Sequence, residues 1–363
     1  MRLAPQGFFG YERFGYGFFG VASTPVLFSG TIVSSGLVAA LSQETPNAQQ
    51  IGTTVTIGGV DYSAYVESVL VQIKEDTISP AATLNLVGSF ALAIGAALVI
   101  QTKYSFADGT SFTATLFSGV IRSSQPTSGS QNKTTVVYGY DAASDFLSAA
   151  PDNTTWTGTA YDLITAELSD FDTIVLDFAD YTIPAGLSLS EFTSKRDLIL
   201  AVAGGREEVV LYIDQAGTVY VRNYATGIGS GQTLDTRGVT YYQAYDNASD
   251  RYASVTIQAP DGTTGTATSE LGKTAFFGTG KFCVTEADCE AKAGEILARS
   301  LLTTYSVQVP LNPVVQIGGN LVLNDLVPAQ IFAGKITGIS HSIQWTGKSS
   351  PGAWTNLTVR SAE

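Results

Sequence analysis

The run Leu98-Val99-Ile100-Gln101-Thr102-Lys103-Tyr104-Ser105-Phe106, the turn pair Asp108-Gly109 and the second run Phe112 to Arg122 read as two strands and the turn between them. The residues around this hairpin repeat its pattern. Upstream, Thr53-Thr54-Val55-Thr56-Ile57 leads to the turn Gly58-Gly59. Val66 to Lys74 then alternates, with Val69, Val71 and Ile73 on one face and Ser68, Gln72 and Lys74 on the other. Thr83-Leu84-Asn85-Leu86-Val87 and Thr134 to Tyr140 are further strands. Five or six short strands, with turn signals at spacings of roughly 8–15 residues, predict an antiparallel sandwich or barrel.

Beyond Tyr140 the pattern becomes mixed. Asp141 to Ala150 and Ala160 to Ser169 have helical spacing, and Ser194 to Ala203 reads as a helix opened by Ser194 and closed by Gly204-Gly205. Val209 to Ile213 and Thr218 to Arg222 flank Asp214-Gln215-Ala216-Gly217 as a hairpin. From residue 241 strands return: Ser254 to Gln258, Tyr305 to Val309, Leu321 to Leu323, Gln330 to Phe332, Gly334 to Trp345 and Trp354 to Arg360. One helix interrupts them. Thr285 is its N-cap, Glu286 and Asp288 suit the dipole of its first turn, and Ala287, Ala291, Ile296, Leu297 and Leu301 are read as its apolar stripe. Phe117-Ser118-Gly119-Val120-Ile121 and Phe332-Ala333-Gly334-Lys335-Ile336 echo one another, which suggests two related β-domains around an α/β insert. The expected fold class is α+β, mostly β. The expected organisation is an arm at 1–50, a first β-domain at 51–140, an α/β middle domain at 141–240 and a second β-domain with one helix at 241–363.

Residues 1–50 differ from the rest. Phe8, Phe9, Tyr11, Phe14, Tyr16, Phe18 and Phe19 alternate with Gly10, Gly15, Gly17 and Gly20. Glycine frees the backbone while the rings carry large apolar area, so such a segment orders only by packing onto another surface. It is read as an assembly arm, the alternative being a loose tail.

Composition narrows the function. The chain has 363 residues, enough for two or three domains with buried cores. Only 14% of residues are charged, against about 25% in typical globular domains. That suits β-structure whose surface is rich in hydroxyls or covered by partners. The net charge of −13 argues against sequence-specific nucleic-acid binding. The apolar stretch from Val21 to Leu41 is broken by Pro25, Gly30 and Gly36, a poor membrane span, and no signal peptide is expected. Cys283 and Cys289 are too few for a disulfide framework and wrongly spaced for zinc, so they are expected as reduced, partly buried thiols.

The chemistry-bearing residues point away from catalysis. The one histidine, His341, lies in Ile339-Ser340-His341-Ser342-Ile343 and is expected half-buried as a structural residue beside the isoleucines. Asp170, Asp172, Asp177 and Asp180, and Glu207-Glu208 beside Arg206, could include a glycosidase pair, yet they read better as solvated turn carboxylates. Gly227-Ile228-Gly229-Ser230-Gly231 lacks the context of a phosphate loop and is read as a linker. Asp246-Asn247-Ala248-Ser249 holds a glycan acceptor that matters only in a secreted chain. No catalytic residue, cofactor site or metal site is expected.

Three stretches carry a resemblance. Leu116-Phe117-Ser118-Gly119-Val120-Ile121 followed by Val136-Val137-Tyr138-Gly139-Tyr140-Asp141 is one. Asp197 to Gly205 followed by Leu211-Tyr212-Ile213-Asp214-Gln215-Ala216-Gly217 is the second. Glu286 to Leu301 with Ser340-His341-Ser342-Ile343-Gln344-Trp345 and Leu357-Thr358-Val359 is the third. In order and spacing over residues 53–363 they resemble the phage tail baseplate and tail hub proteins, the tube-initiating hubs of contractile tails and related injection systems. The resemblance implies two tube-like antiparallel β-barrel domains flanking the α/β domain and a homotrimer that offers six such domains to a sixfold tail tube. It also implies as partners the tail tube protein, a distal tail or adaptor protein, a spike or tip protein and a tape measure protein. The implied location is the virion tail, assembled in the host bacterial cytoplasm. The aromatic arm departs from the family's pattern. The other readings are a β-rich carbohydrate-binding receptor protein or glycosidase using Trp156, Trp345 and Trp354 beside acids, and a different virion shell or tube component.

Overall fold

The computed structural model describes Phe28–Ser29 and residues 48–361, apart from 76–79, 107–109, 129–132, 142, 185–187, 214–216, 224–227, 236–240, 246–250, 314, 325–330 and 346–351. Most of the arm, the turns at Asp108-Gly109 and Asp214–Ala216, and the sequon at Asn247 therefore lie outside the described residues.

Seven strands open the fold: β2 (Ala48–Ile57), β3 (Val60–Asp61), β4 (Val66–Lys74), β5 (Ala81–Val87), β6 (Ala97–Phe106), β7 (Ser111–Ser128) and β8 (Lys133–Tyr140). They pair antiparallel in the order β4-β5-β8-β7-β6-β2-β3. The cause is the alternation of β5, β8 and, from Ser68 on, β4. Val69, Val71, Leu84, Leu86 and Val137, with Val55, Leu98 and Ile100, are at most 1% exposed and form one core. Gly119 on β7 passes close to β8. A Cβ built there collides with the Tyr140 carbonyl oxygen, an obstacle fixed by the sheet.

The middle segment packs α1 (Ala143–Ser148), α2 (Ala160–Glu167) and α3 (Lys195–Ala203) around a sheet ordered β10-β11-β9, from β9 (Ile174–Asp177), β10 (Val209–Ile213) and β11 (Val219–Asn223). The Ser194 side chain accepts from the Asp197 N–H and so caps α3. A second small sheet, β15-β14-β16, comes from β14 (Tyr252–Gln258), β15 (Thr264–Thr268) and β16 (Thr274–Thr279). Against it lies α4 (Glu286–Leu301), opened by a capping box between Thr285 and Asp288.

The remaining strands rejoin the first seven. They are β1 (Phe28–Ser29), β12 (Ile228–Asp235), β13 (Tyr241–Tyr245), β17 (Thr304–Pro310), β18 (Gly319–Asn324), β19 (Ile331–Gln344) and β20 (Gly352–Ser361). The junction is β19 against β4, antiparallel from Gly338 opposite Lys74 to Gln344 opposite Ser68. Through it the two β-rich stretches form one 14-stranded sheet.

Three local readings need correction. Residues 228–231, read as linker, begin β12, which pairs parallel with β18; neighbouring strands supply backbone partners that glycine accepts. The buried face of α4 is Cys289, Ala293 and Leu297, with Ile296 partly buried, while Ala287 and Ala291 are exposed. Alanine is small enough to sit on either face, and the thiol of Cys289 behaves as the hydrophobe. His341 is fully buried, not half-buried.

His341 belongs to a polar seam between β6, β20 and the segment after β17. Its Nδ1 lies 2.9 Å from Thr355 Oγ1, which also accepts the Asn312 N–H at 2.8 Å. The Tyr104 hydroxyl donates to the Leu311 carbonyl at 2.9 Å. Burial lowers the His341 pKa to about 4.

Gly119→Ala is expected to destabilise the chain by about 2–4 kcal/mol, read as a lower urea midpoint with unchanged slope, because backbone cannot yield as a side chain can. A neutral-only His341 makes the folded state resist protonation. Stability is therefore complete above the ordinary histidine value, falls as pH drops below it and levels off near pH 4. The loss is on the order of 3 kcal/mol. Urea titrations from pH 7 to pH 4 should show His341→Gln losing less than the parent over this window; parallel curves would disprove the assignment.

Candidate functional site: an uncharged face of the large sheet

The face of the large sheet opposite its cores carries three rows that cross the junction. One row runs Gln308, Asn356, Ser340, Gln72, Ala81, Tyr140, Val120 and Ala97, each opposite the next on neighbouring strands from β17 to β6. A second runs Trp354, Ser342, Leu70, Thr83 and Tyr138. A third runs Gln344, Ser68, Asn85, Val136 and Gln125. Directly opposed residues share a face, so each row is a physical stripe. None of these residues is Asp, Glu, Lys, Arg or His, in a chain of net charge −13; the exposed cations Lys74 on β4 and Lys103 on β6 share the face but lie outside the rows. The polar members bond to one another: Gln308 Nε2 donates to Asn356 Oδ1 at 3.0 Å, and Asn85 Nδ2 donates to Ser68 Oγ at 2.7 Å. Tyr138 and Tyr140 stand 36% and 41% exposed at its centre. These rows offer hydrogen bonds and ring surface without charge of their own, so they neither hold nor strongly repel a polyanion.

Charge is gathered instead where the sheet meets the middle segment and α4. Glu208 accepts from Lys292 Nζ at 2.6 Å and Arg299 Nη1 at 2.9 Å, both on α4. Lys292 also donates to the Glu207 carbonyl at 2.6 Å. Burial alone would raise the Glu208 carboxyl, but the two cations outweigh it and hold the group below its ordinary value. Arg222 on β11 pairs with Asp177 on β9 at 3.0 Å. Glu75, just past β4, has Arg360 Nη1 at 3.8 Å, and Lys335 on β19 is brought down to about 8 by burial, against the opposing pull of Glu75. A cavity of about 210 Å³ lies among Glu75, Arg196, Leu200, Glu208, Lys292 and Arg299.

The residues singled out from the sequence do not converge. Asp170 and Asp172 are exposed before β9, Asp177 is paired, and Asp180 accepts the N–H groups of Tyr161 and Tyr181 at 3.0 and 2.9 Å. Glu207 accepts the Ala179 N–H at 2.6 Å and is bonded by Asn223. Arg206 stacks 4.6 Å over the Tyr181 ring. The Trp156 indole donates to the Thr159 carbonyl at 3.2 Å, and Trp345 packs against the first core, far from forming a shared sugar platform with Trp156 in the second. Cys283 and Cys289 are both buried and free, and burial pushes the Cys283 thiol up to about 12. Among the described residues no group of three or more His, Cys, Asp or Glu side chains is placed to hold a metal ion. The uncharged face escaped the sequence because each strand shows only its own alternation; the stripe exists only once register is known.

No family model and no curated protein matches the chain. Solved structures do. The 43 kDa tail protein of prophage MuSo2 from Shewanella oneidensis superposes with a TM-score of 0.65 at 15% identity, over 85% of this chain and 97% of that one. A tail protein from Neisseria meningitidis MC58 gives 0.65 at 14% identity, over 86% and 96%. The chain has the fold of phage tail proteins. The same tail-protein fold extends to an Escherichia coli component of the type VI secretion system, with a TM-score of 0.55 at 13% identity, over 85% of this chain and 77% of that one.

Glu208→Gln should cost about 2 kcal/mol at pH 7, because two partly buried cations lose their counter-charge. A carboxyl held low stabilises above its ordinary value and loses that contribution as pH falls through its folded value. The gap between parent and variant, followed by urea denaturation, should therefore narrow toward pH 3.

Proposed function

We propose that the chain is a non-enzymatic structural hub of a phage tail or baseplate. Three copies form a ring that joins the sixfold tail tube to a central spike or tip protein. Residues 51–140 and 241–363 contribute the two tube-like β-domains, with 141–240 as the α/β domain between them. The observation that carries this reading is the uncharged row from Gln308 to Ala97, which runs unbroken from β17 to β6 across both β-rich stretches. Three copies supply six such β-domains, and a lining of mostly uncharged rows in an acidic chain lets DNA pass without strong adhesion. The tail-protein fold of the matched structures supports the same role. The tail tube protein, a distal tail or adaptor protein and a tape measure protein are the further partners, and the virion tail, built in the bacterial cytoplasm, is the location.

The reading against catalysis rests on the carboxylates. Asp177, Asp180, Glu207 and Glu208 are each taken up in a structural bond: to Arg222, to the Tyr161 and Tyr181 N–H groups, to the Ala179 N–H and to Lys292.

Native mass spectrometry of the purified chain should give a threefold species, and class-averaged electron micrographs a ring with a central channel. A monomer whose melting temperature rises with added polysaccharide would replace the hub by a carbohydrate-binding protein.

A further inference from the structure

An apolar crest stands at one end of the first β-stretch. Val60, Tyr65, Val87 and Ile94 are 56%, 47%, 55% and 61% exposed, although each is a residue type that sheets usually cover. The crest is built, not loose. Tyr62, Tyr65 and Phe90 form an aromatic cluster, with centroids 5.4 Å apart for Tyr62 and Phe90 and 5.0 Å for Tyr65 and Phe90. The Phe90 backbone N–H donates to Thr135 Oγ1 at 2.9 Å, and that hydroxyl donates to the Gly88 carbonyl at 2.8 Å, so the loop is fixed from beneath. Asp61 and Glu67 flank the cluster in sequence.

The chain carries a complementary segment. Residues 1–27 precede β1 and hold Phe8, Phe9, Tyr11, Phe14, Tyr16, Phe18 and Phe19 among glycines. They contain Arg2 and Arg13 against the single acid Glu12, a cationic stretch in a chain of net −13. Twenty-seven extended residues span up to about 90 Å, enough to reach the crest from β1. A tethered segment also meets its own chain at millimolar effective concentration, ahead of other chains.

We propose that the aromatic segment 1–27 docks on the crest of its own chain. Its rings pack edge-to-face on Tyr62, Tyr65 and Phe90, and its arginines lie toward Asp61 and Glu67. Glycines between the rings let the backbone follow the crest, and the docked arm covers apolar surface that would otherwise invite unspecific association. The proposal does not rest on the trimeric ring; an arm can dock in a monomer or in any assembly.

The test uses the full-length chain. Trypsin cuts after Arg13, and the released peptide is followed by mass spectrometry. The parent should be cut about tenfold more slowly than Ile94→Asp and Tyr65→Ser, with melting temperatures unchanged within a few degrees. Equal rates in parent and variants would overturn the proposal. A photoreactive phenylalanine at position 14 supplies a second readout. Cross-links to residues 60–65 or 87–94 within one chain, at yields independent of protein concentration, are expected. Cross-links only between chains, or to residues elsewhere, would overturn it.

Discussion

The architecture depends on the pairing of β4 with β19. These strands lie more than 250 residues apart in the chain, yet they exchange main-chain hydrogen bonds from Gly338 to Gln344 and fuse two β-rich stretches into one sheet. Without that ladder, β4 would be an open edge and the two cores on either side of His341 would face water. The core around Val69, Val71 and Ile343 and the core around Ile73, Ile339 and Leu357 meet at this line. The buried polar seam of His341, Thr355 and Asn312 is placed there too, which fixes register where a slip by one residue would turn every side chain over.

Two kinds of surface follow from the same pairing. On one side the strands present uncharged rows that no single strand could form. On the other, the helices and small sheets gather the charges into paired groups such as Glu208 with Lys292 and Arg299. The low overall charge is thus distributed: ions hold the segments together, and the central rows of the sheet face carry none.

Much of the fold was legible in the residues. Ser68 to Lys74 alternates because one face packs and one does not, and Thr285 and Ser194 cap their helices as their side-chain chemistry demands. What was not legible is long-range. The strand that starts at Ile228 depends on β18, nearly a hundred residues later, and the depth of His341 depends on β4 and β20 flanking it on both sides. The face of α4 was misread because alanines at 287 and 291 carry too little area to decide an orientation, whereas Cys289 does. Asp180 and Glu207, far apart in sequence, are brought to neighbouring backbone by the Ala179 N–H bond, yet each carboxylate is taken up by main-chain N–H groups, while the stripe of Gln72, Tyr140 and Asn356 could be assembled only from register.

The separation of β4 from its partner also bears on biosynthesis. A ribosome releases the first seven strands long before residues 338–344 are made, so β4 emerges with its outer backbone groups unanswered. Closing so long a loop is slow, and high contact order delays the step further. A nascent chain in this state is open to strand addition by a sibling on a neighbouring ribosome. Crowded polysomes of such a message would thus favour chaperone capture of the amino-terminal half until the carboxy-terminal strands arrive.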